Sequence, residues 1–129
     1  MRTHVVTDAL PVAAAGGPAL TGKFLQLVWR GDEYLVFADA AARRFHNQIL
    51  ACFLAERGIE HRWRDEQTLE FDGAQLTVVG GGRFRLDTVA RTLELRDNSQ
   101  AYGRFAESGL AERIAAADHA WSVYRITIL

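Results

Sequence analysis

Cysteine is almost missing from these 129 residues: Cys52 stands alone. That excludes an internal disulfide and a cysteine-rich zinc site, and it fits a reducing, cytoplasmic setting. Long hydrophobic runs are missing too. Although 49% of the residues are hydrophobic, charge or glycine interrupts every apolar stretch well short of the roughly 20 residues that a membrane span needs, so no membrane partner is expected. Nor is there an excess of one sign of charge. Fifteen Lys and Arg against sixteen Asp and Glu leave a formal net charge of −1, and their dispersal speaks against a nucleic-acid partner or a general anionic surface. No two histidines stand at i, i+4 on a helix and no carboxylates cluster with one, so neither a metal nor a cofactor is expected.

What is present suits one domain with one core, expected as a monomer. Residues 1–22 read as a flexible N-terminal arm. Asp8 and Pro11 break any signal-peptide pattern, and Pro11 to Gly22, rich in Ala, Gly and Pro, has no alternation and little to bury. Residues 23–129 form the domain proper. Lys23 to Trp29 and Tyr34 to Phe37 predict a hairpin turning at Gly31-Asp32. Asp39 stands as the N-cap of a helix whose apolar residues Phe45, Ile49, Cys52 and Phe53 recur at helical spacing, with Arg43, Arg44, Asn47 and Gln48 on a solvent side and Gly58 as the stop. Short strands follow at His61 to Arg64, Thr68 to Phe71, Gln75 to Val79, Phe84 to Leu86 and Thr92 to Leu95, with Asp72-Gly73 as a hairpin turn. A second helix is predicted from about Ser108 to Ala117, burying Leu110 and Ile114, and Trp121 to Leu129 closes the chain as a strand. Strands with two helices give an α/β (α+β) class, a sheet covered by helices.

Three features can carry chemistry. Gly80-Gly81-Gly82-Arg83 reads as a bare turn whose N–H groups and guanidinium can hold an anion, although a plain bulge or turn is the commoner meaning of such a run. Asn98-Ser99-Gln100-Ala101-Tyr102-Gly103 leaves a strand end, where Ser99 can donate and small residues admit a ligand to the main chain; the plainer reading is a polar connection with Tyr102 packed on the core. His46, beside Phe45 on the first helix, is the one histidine held on a long rigid element, and histidine is the side chain that exchanges protons near neutrality. Such a histidine is also commonly structural. Cys52 falls on the apolar stripe and reads as a small core residue.

Taken in order, Lys23, Phe45-His46, Gly80-Gly81-Gly82-Arg83 and Ser99-Gln100-Ala101-Tyr102-Gly103 resemble the phosphohistidine phosphatase (janus-ocnus) family from about Lys23 onward. The resemblance implies a mixed sheet flanked by two helices, a phosphate site in a surface cleft, and a histidine acting as general base on water without a metal. Carried across, His46 would be the base, Lys23, Gly82 and Arg83 would hold the phosphoryl group, and Ser99 and Ala101 would add loop contacts, with Tyr102 and Gly103 structural. Two departures stand out: Ala38 replaces a basic residue that some relatives carry eight positions before the histidine, and His61 to Gln75 is lengthened by an extra hairpin that brings Arg62, Trp63 and Arg64 toward the site.

The expected partner is therefore a phosphorylated protein or a small phosphorylated molecule. The leading reading is a metal-independent phosphatase of phosphohistidine or a related phosphoramidate. The alternatives are a non-catalytic module that binds a phosphorylated ligand within a specialised pathway, and an interaction protein using Trp63, Trp121 and the inserted hairpin.

Overall fold

The computed structural model describes residues 1–10 and 19–129. Ten elements follow in order: β1 (Thr3–Asp8), β2 (Leu20–Trp29), β3 (Asp32–Asp39), α1 (His46–Glu56), β4 (His61–Trp63), β5 (Leu69–Phe71), β6 (Leu76–Asp87), β7 (Thr92–Arg96), α2 (Leu110–Ala116) and β8 (Arg125–Ile128). Six strands make one mixed sheet in the order β1-β3-β2-β6-β7-β8, and β4 and β5 pair separately. The outer pairs β1/β3 and β7/β8 are parallel, whereas the pairs between them are antiparallel. The fold is α+β, with one helix on each face of the sheet.

Burial on both faces explains the composition of the central strands. Phe24, Leu35, Phe37, Phe84, Leu86, Leu93 and Leu95 meet Leu110 and Ile114 of α2. Their neighbours Leu25, Leu27, Val36 and Ala38 meet Ile49, Leu50, Phe53 and Leu54 of α1. Alternate residues of a strand point to opposite faces, so a strand covered on both sides loses the polar half of its alternation. Where a polar residue enters the α2 face it is paired. Buried Glu33 accepts from Arg113 Nε at 2.8 Å, Arg113 Nη2 at 3.0 Å, Gln26 Nε2 at 2.9 Å and Thr3 Oγ1 at 2.8 Å.

Several expectations are corrected. The N-terminal arm is regular at both ends: β1 lies on β3 in parallel register from Thr3↔Glu33 to Asp8↔Ala38, and β2 already begins at Leu20. Pairing with a strand some thirty residues away, helped by His4 stacked on Tyr34 and Arg43 bonded to Asp8, holds β1 in place. Residues 11–18 of the predicted arm lie outside the described residues. The first hairpin turns at Arg30-Gly31, where both φ angles are positive, one position before Gly31-Asp32. Asp39 does not cap a helix; it ends β3, and its carboxylate accepts from Ala41 N in a local turn. The helix starts instead after Phe45, where Gln48 Oε1 reaches back to the N–H groups of Arg44 and Phe45. Phe45 is therefore exposed rather than core, and Cys52 is only partly buried. Gly58 does follow the helix end.

The glycine run is not a turn. The pieces predicted as Gln75 to Val79 and Phe84 to Leu86 are one strand, β6, that passes through it. Asp72-Gly73 joins two different sheets, and the actual small hairpin is β4 with β5. The last strand is shortened to β8, because residues 118–124 are turns and bends.

Candidate functional site

The site begins with a fault in β6. Its ladder with β2 pairs Leu27 with Val78 but Gln26 with Gly80, leaving Val79 as an extra residue. One extra residue exchanges the faces of everything beyond it. Leu76 and Val78 point to the α1 face, and past the bulge Gly81 and Arg83 point there as well. Arg83 is thereby opposite Lys23 of β2, on the same side of the sheet as α1.

The glycines let three segments close onto that point. A Cβ on Gly81 would lie 2.6 Å from the Phe24 carbonyl oxygen and 3.0 Å from His46 Cδ2. On Gly80 it would collide with the Arg104 carbonyl, and on Gly82 with the Arg96 carbonyl. Gly81 N–H is taken by Gly103 O at 3.0 Å, so this donor ties the strand to a loop instead of facing an anion. Gly82 contributes a carbonyl: His46 Nε2 lies 3.0 Å from Gly82 O. Since a carbonyl can only accept, Nε2 carries the hydrogen in this bond, and in the neutral ring Nδ1 keeps the lone pair.

His46 is the first residue of α1 and opens its buried stripe, with Ile49, Leu50 and Phe53 at the following three-, four- and seven-residue spacings. It is 6% exposed and forms part of the floor of a cleft of about 780 Å³. Burial pushes its pKa below the usual imidazole value, the Gly82 bond opposes this, and the charges of Lys23 and Arg83 lower it further. At neutral pH the ring is a free base. Lys23 lines the same cleft, with its pKa lowered by burial and by Arg83 and Arg44. Three cations thus crowd one region. The nearest carboxylate to Arg83, Asp97, is 4.0 Å away and both side chains are more than half exposed, a pairing too loose and wet to neutralise the guanidinium. Such a cluster is a ready anion site.

The loop from Asp97 to Arg104 closes one side. Ser99 N donates to Gly103 O at 3.0 Å, Gly103 N to Ser99 O at 2.8 Å, and Tyr102 N to Ser99 Oγ at 3.1 Å. Gly103 has φ of +80°, a conformation that a side chain would strain. Ser99 is 2% exposed, and its hydroxyl braces the loop from inside rather than lining the cleft. Ala101 does line it, beside Gln100, and the N–H groups of both are free of protein partners among the described residues. Trp63 of β4 and the turn residues Glu66, Gln67 and Thr68 also line the cleft. Arg62 and Arg64 are instead engaged by Glu70, at 2.9 and 3.4 Å.

The structure brings together Lys23, His46, Arg83 and Ala101, and places Gly82 and Ser99 just behind them as supports. Two participants were read from sequence as a solvated helix face. Arg44 supplies the third cation, and buried Asn47 joins three elements by donating to Gln67 O and accepting from Tyr102 OH. Their adjacency to His46 was the available signal. The other two residues of that polar side are also engaged, Arg43 with Asp8 and Gln48 with the start of the helix. Among the described residues no group of three or more His, Cys, Asp or Glu side chains converges in metal-binding geometry, and no helix is long and apolar enough to cross a membrane. In comparison with known proteins, the chain matches no family model and no curated protein.

Proposed function

We propose that the cleft holds a phosphoryl group and that the protein is a phosphohistidine phosphatase-like hydrolase, cleaving the P–N bond of phosphohistidine or a related phosphoramidate. The observation that carries this reading is the opening of one cleft onto both a buried, neutral histidine and three clustered cations, Lys23, Arg44 and Arg83. Oxyanions of the phosphoryl group are met by those cations, by the N–H groups of Gln100 and Ala101, and by the first turn of α1, which has no side-chain cap. Ala38 is buried in register beside Lys23, and Arg44 provides the charge that Ala38 cannot.

His46 then acts on water. Its Nδ1 accepts a proton as the water oxygen bonds to phosphorus; the P–N bond breaks, its electron pair leaves with nitrogen, and that nitrogen takes up a proton. Gly82 O fixes the tautomer that leaves Nδ1 basic. A phosphoramidate bond is already labile, so placement and screening of charge do most of the work, and no metal is invoked.

The test is hydrolysis of a phosphoramidate in the presence of a chelator. His46→Ala is expected to lower the rate about 10²- to 10⁴-fold, and Arg83→Ala about 10²- to 10³-fold. Full activity in His46→Ala, or an absolute requirement for added metal, would sink the mechanism. A second reading, a binding module without turnover, is favoured by the inward-turned Ser99 hydroxyl; it predicts saturable phosphate binding that needs Arg83 and is indifferent to His46→Ala.

A further inference from the structure

Two of the three tryptophans are committed to packing. Trp29 lies against Tyr34 and Phe53 with Arg30 over its ring, and Trp121 lies against Phe37 and His119. Trp63 has no aromatic or cationic partner among the described residues, is 43% exposed, and lines the cleft. Phe45, also 43% exposed, lines it too. This phenylalanine stands at the N-cap of α1, where a Ser, Thr, Asp or Asn would have supplied a hydrogen-bond acceptor. The indole offers a free face and the phenyl ring carries only Arg44, 5.4 Å from its centroid, so a flat apolar ligand against either would bury apolar surface that the free protein leaves wet.

We propose that Trp63 and Phe45 form an aromatic wall of the phosphoryl cleft, and that the substrate is a small phosphorylated molecule carrying a planar ring rather than a phosphorylated protein. The inference rests on the phosphoryl-binding reading above. A phosphoryl group fills only a small part of a 780 Å³ cleft, and this volume is within the range of small-molecule sites. A peptide is commonly held by adding a strand to a free sheet edge. Among the described residues the edges of the six-stranded sheet are β1 and β8, away from Lys23 on β2 and Arg83 on β6 at its centre, and the separate β4–β5 hairpin offers an edge of only three residues. The ring is therefore placed over the sheet face, against Trp63 of the β4–β5 hairpin. That hairpin is fastened to α1 by the Asn47 bond to Gln67 O, and Trp63 lines the cleft.

The test uses the full chain and three probes in titration calorimetry: 1-naphthyl phosphate, n-butyl phosphate and inorganic phosphate. Naphthyl phosphate is expected to bind about 10-fold more tightly than butyl phosphate, the size of one ring-stacking contact. Trp63→Ala should abolish that preference and leave the other two probes unchanged, Trp63→Phe should restore most of it, and Arg83→Ala should weaken all three. Because Trp63 is exposed, an unchanged thermal unfolding curve shows that the alanine variant is folded. Equal binding of the naphthyl and butyl esters, or a preference untouched by Trp63→Ala, would overturn the aromatic wall while leaving the anion site standing if Arg83 still matters. A histidine-phosphorylated peptide with alanine flanks that outcompetes naphthyl phosphate would overturn it too. Failure of inorganic phosphate and both esters to bind would refute the phosphoryl reading and this inference with it.

Discussion

Substituting Gly81 by alanine tests both the packing and the chemistry of the cleft floor. The new Cβ would lie 2.6 Å from the Phe24 carbonyl oxygen and 3.0 Å from His46 Cδ2, where ordinary carbon contacts need about 3.5 Å. The imidazole can swing; the carbonyl cannot do so cheaply, because it belongs to β2, which is paired on both sides by β3 and β6. Overpacking of this kind costs about 1–3 kcal/mol. With an unfolding entropy of about 2.1 cal/mol/K per residue, each kcal/mol lowers the Tm of a chain this size by about 4 °C, so a fall of about 4–11 °C is expected. His46 would also be levered from Gly82 O, and its ring signals in a two-dimensional ¹H–¹⁵N spectrum should lose the wild-type tautomer pattern. Gly73→Ala is the control, since nothing lies within 4 Å of a Cβ there. A Gly81→Ala protein with wild-type Tm and unchanged His46 signals would refute the close approach and the tautomer argument together.

Because burial, Lys23 and Arg83 hold the His46 pKa below its usual value of 6.5, the unfolded chain takes up a proton there that the folded chain refuses. Wild-type stability should therefore fall as pH drops below about 6.5, and His46→Gln should flatten that slope in urea unfolding at successive pH values. An unaltered slope would mean that His46 is not desolvated. Burial raises the Glu33 pKa, but its bonds from Arg113, Gln26 and Thr3 outweigh this and leave it lowered. Its contribution is full above the unfolded carboxyl pKa and is lost as pH falls through the lower folded value. Arg113→Met should cost about 3 kcal/mol by leaving Glu33 buried and unpaired, with much of this recovered in Glu33→Gln/Arg113→Met; chemical denaturation decides whether the double variant is indeed the more stable. Asn47→Ala should cost about 1–3 kcal/mol by orphaning Gln67 O and the Tyr102 hydroxyl, and should speed hydrogen exchange in residues 64–68. Exchange at the wild-type rate would show that Asn47 does not fasten the hairpin.

The helices and central strands were legible because their signals are local: Ile49 and Phe53 at helical spacing, Leu110 and Ile114 likewise, and continuous apolar runs in β2 and β3. What sequence could not reveal depends on distant partners. Thr3 to Asp8 looks unremarkable until Glu33 to Ala38 lies beside it, and Asp39 looks like a helix cap until its carboxylate is seen closing a turn at Ala41. Gly80 to Gly82 has the composition of a turn. Its meaning comes from carbonyls of β2, of β7 and of the Arg104 segment that press on it from elsewhere in the chain. Among the site residues, His46 and Arg83 could be singled out by chemical type and Lys23 only through the family resemblance, whereas Ser99 was expected in the cleft and is turned inward to Tyr102. Arg44 and Asn47 escaped notice because helical periodicity alone assigns them to solvent.

The bulge at Val79 also bears on how such a site can be gained or lost. Below it β6 is an ordinary packing strand, and beyond it the parity of the strand is reversed, so drawing Val79 into the ladder would turn Arg83 to the α2 face and bring Phe84 toward the cations without altering any side chain, whereas deleting Val79 would keep Arg83 opposite Lys23. Most binding sites erode by replacement of their residues one at a time. This one can be switched off by a slip of one residue in register, with its full complement of residues still present in the chain.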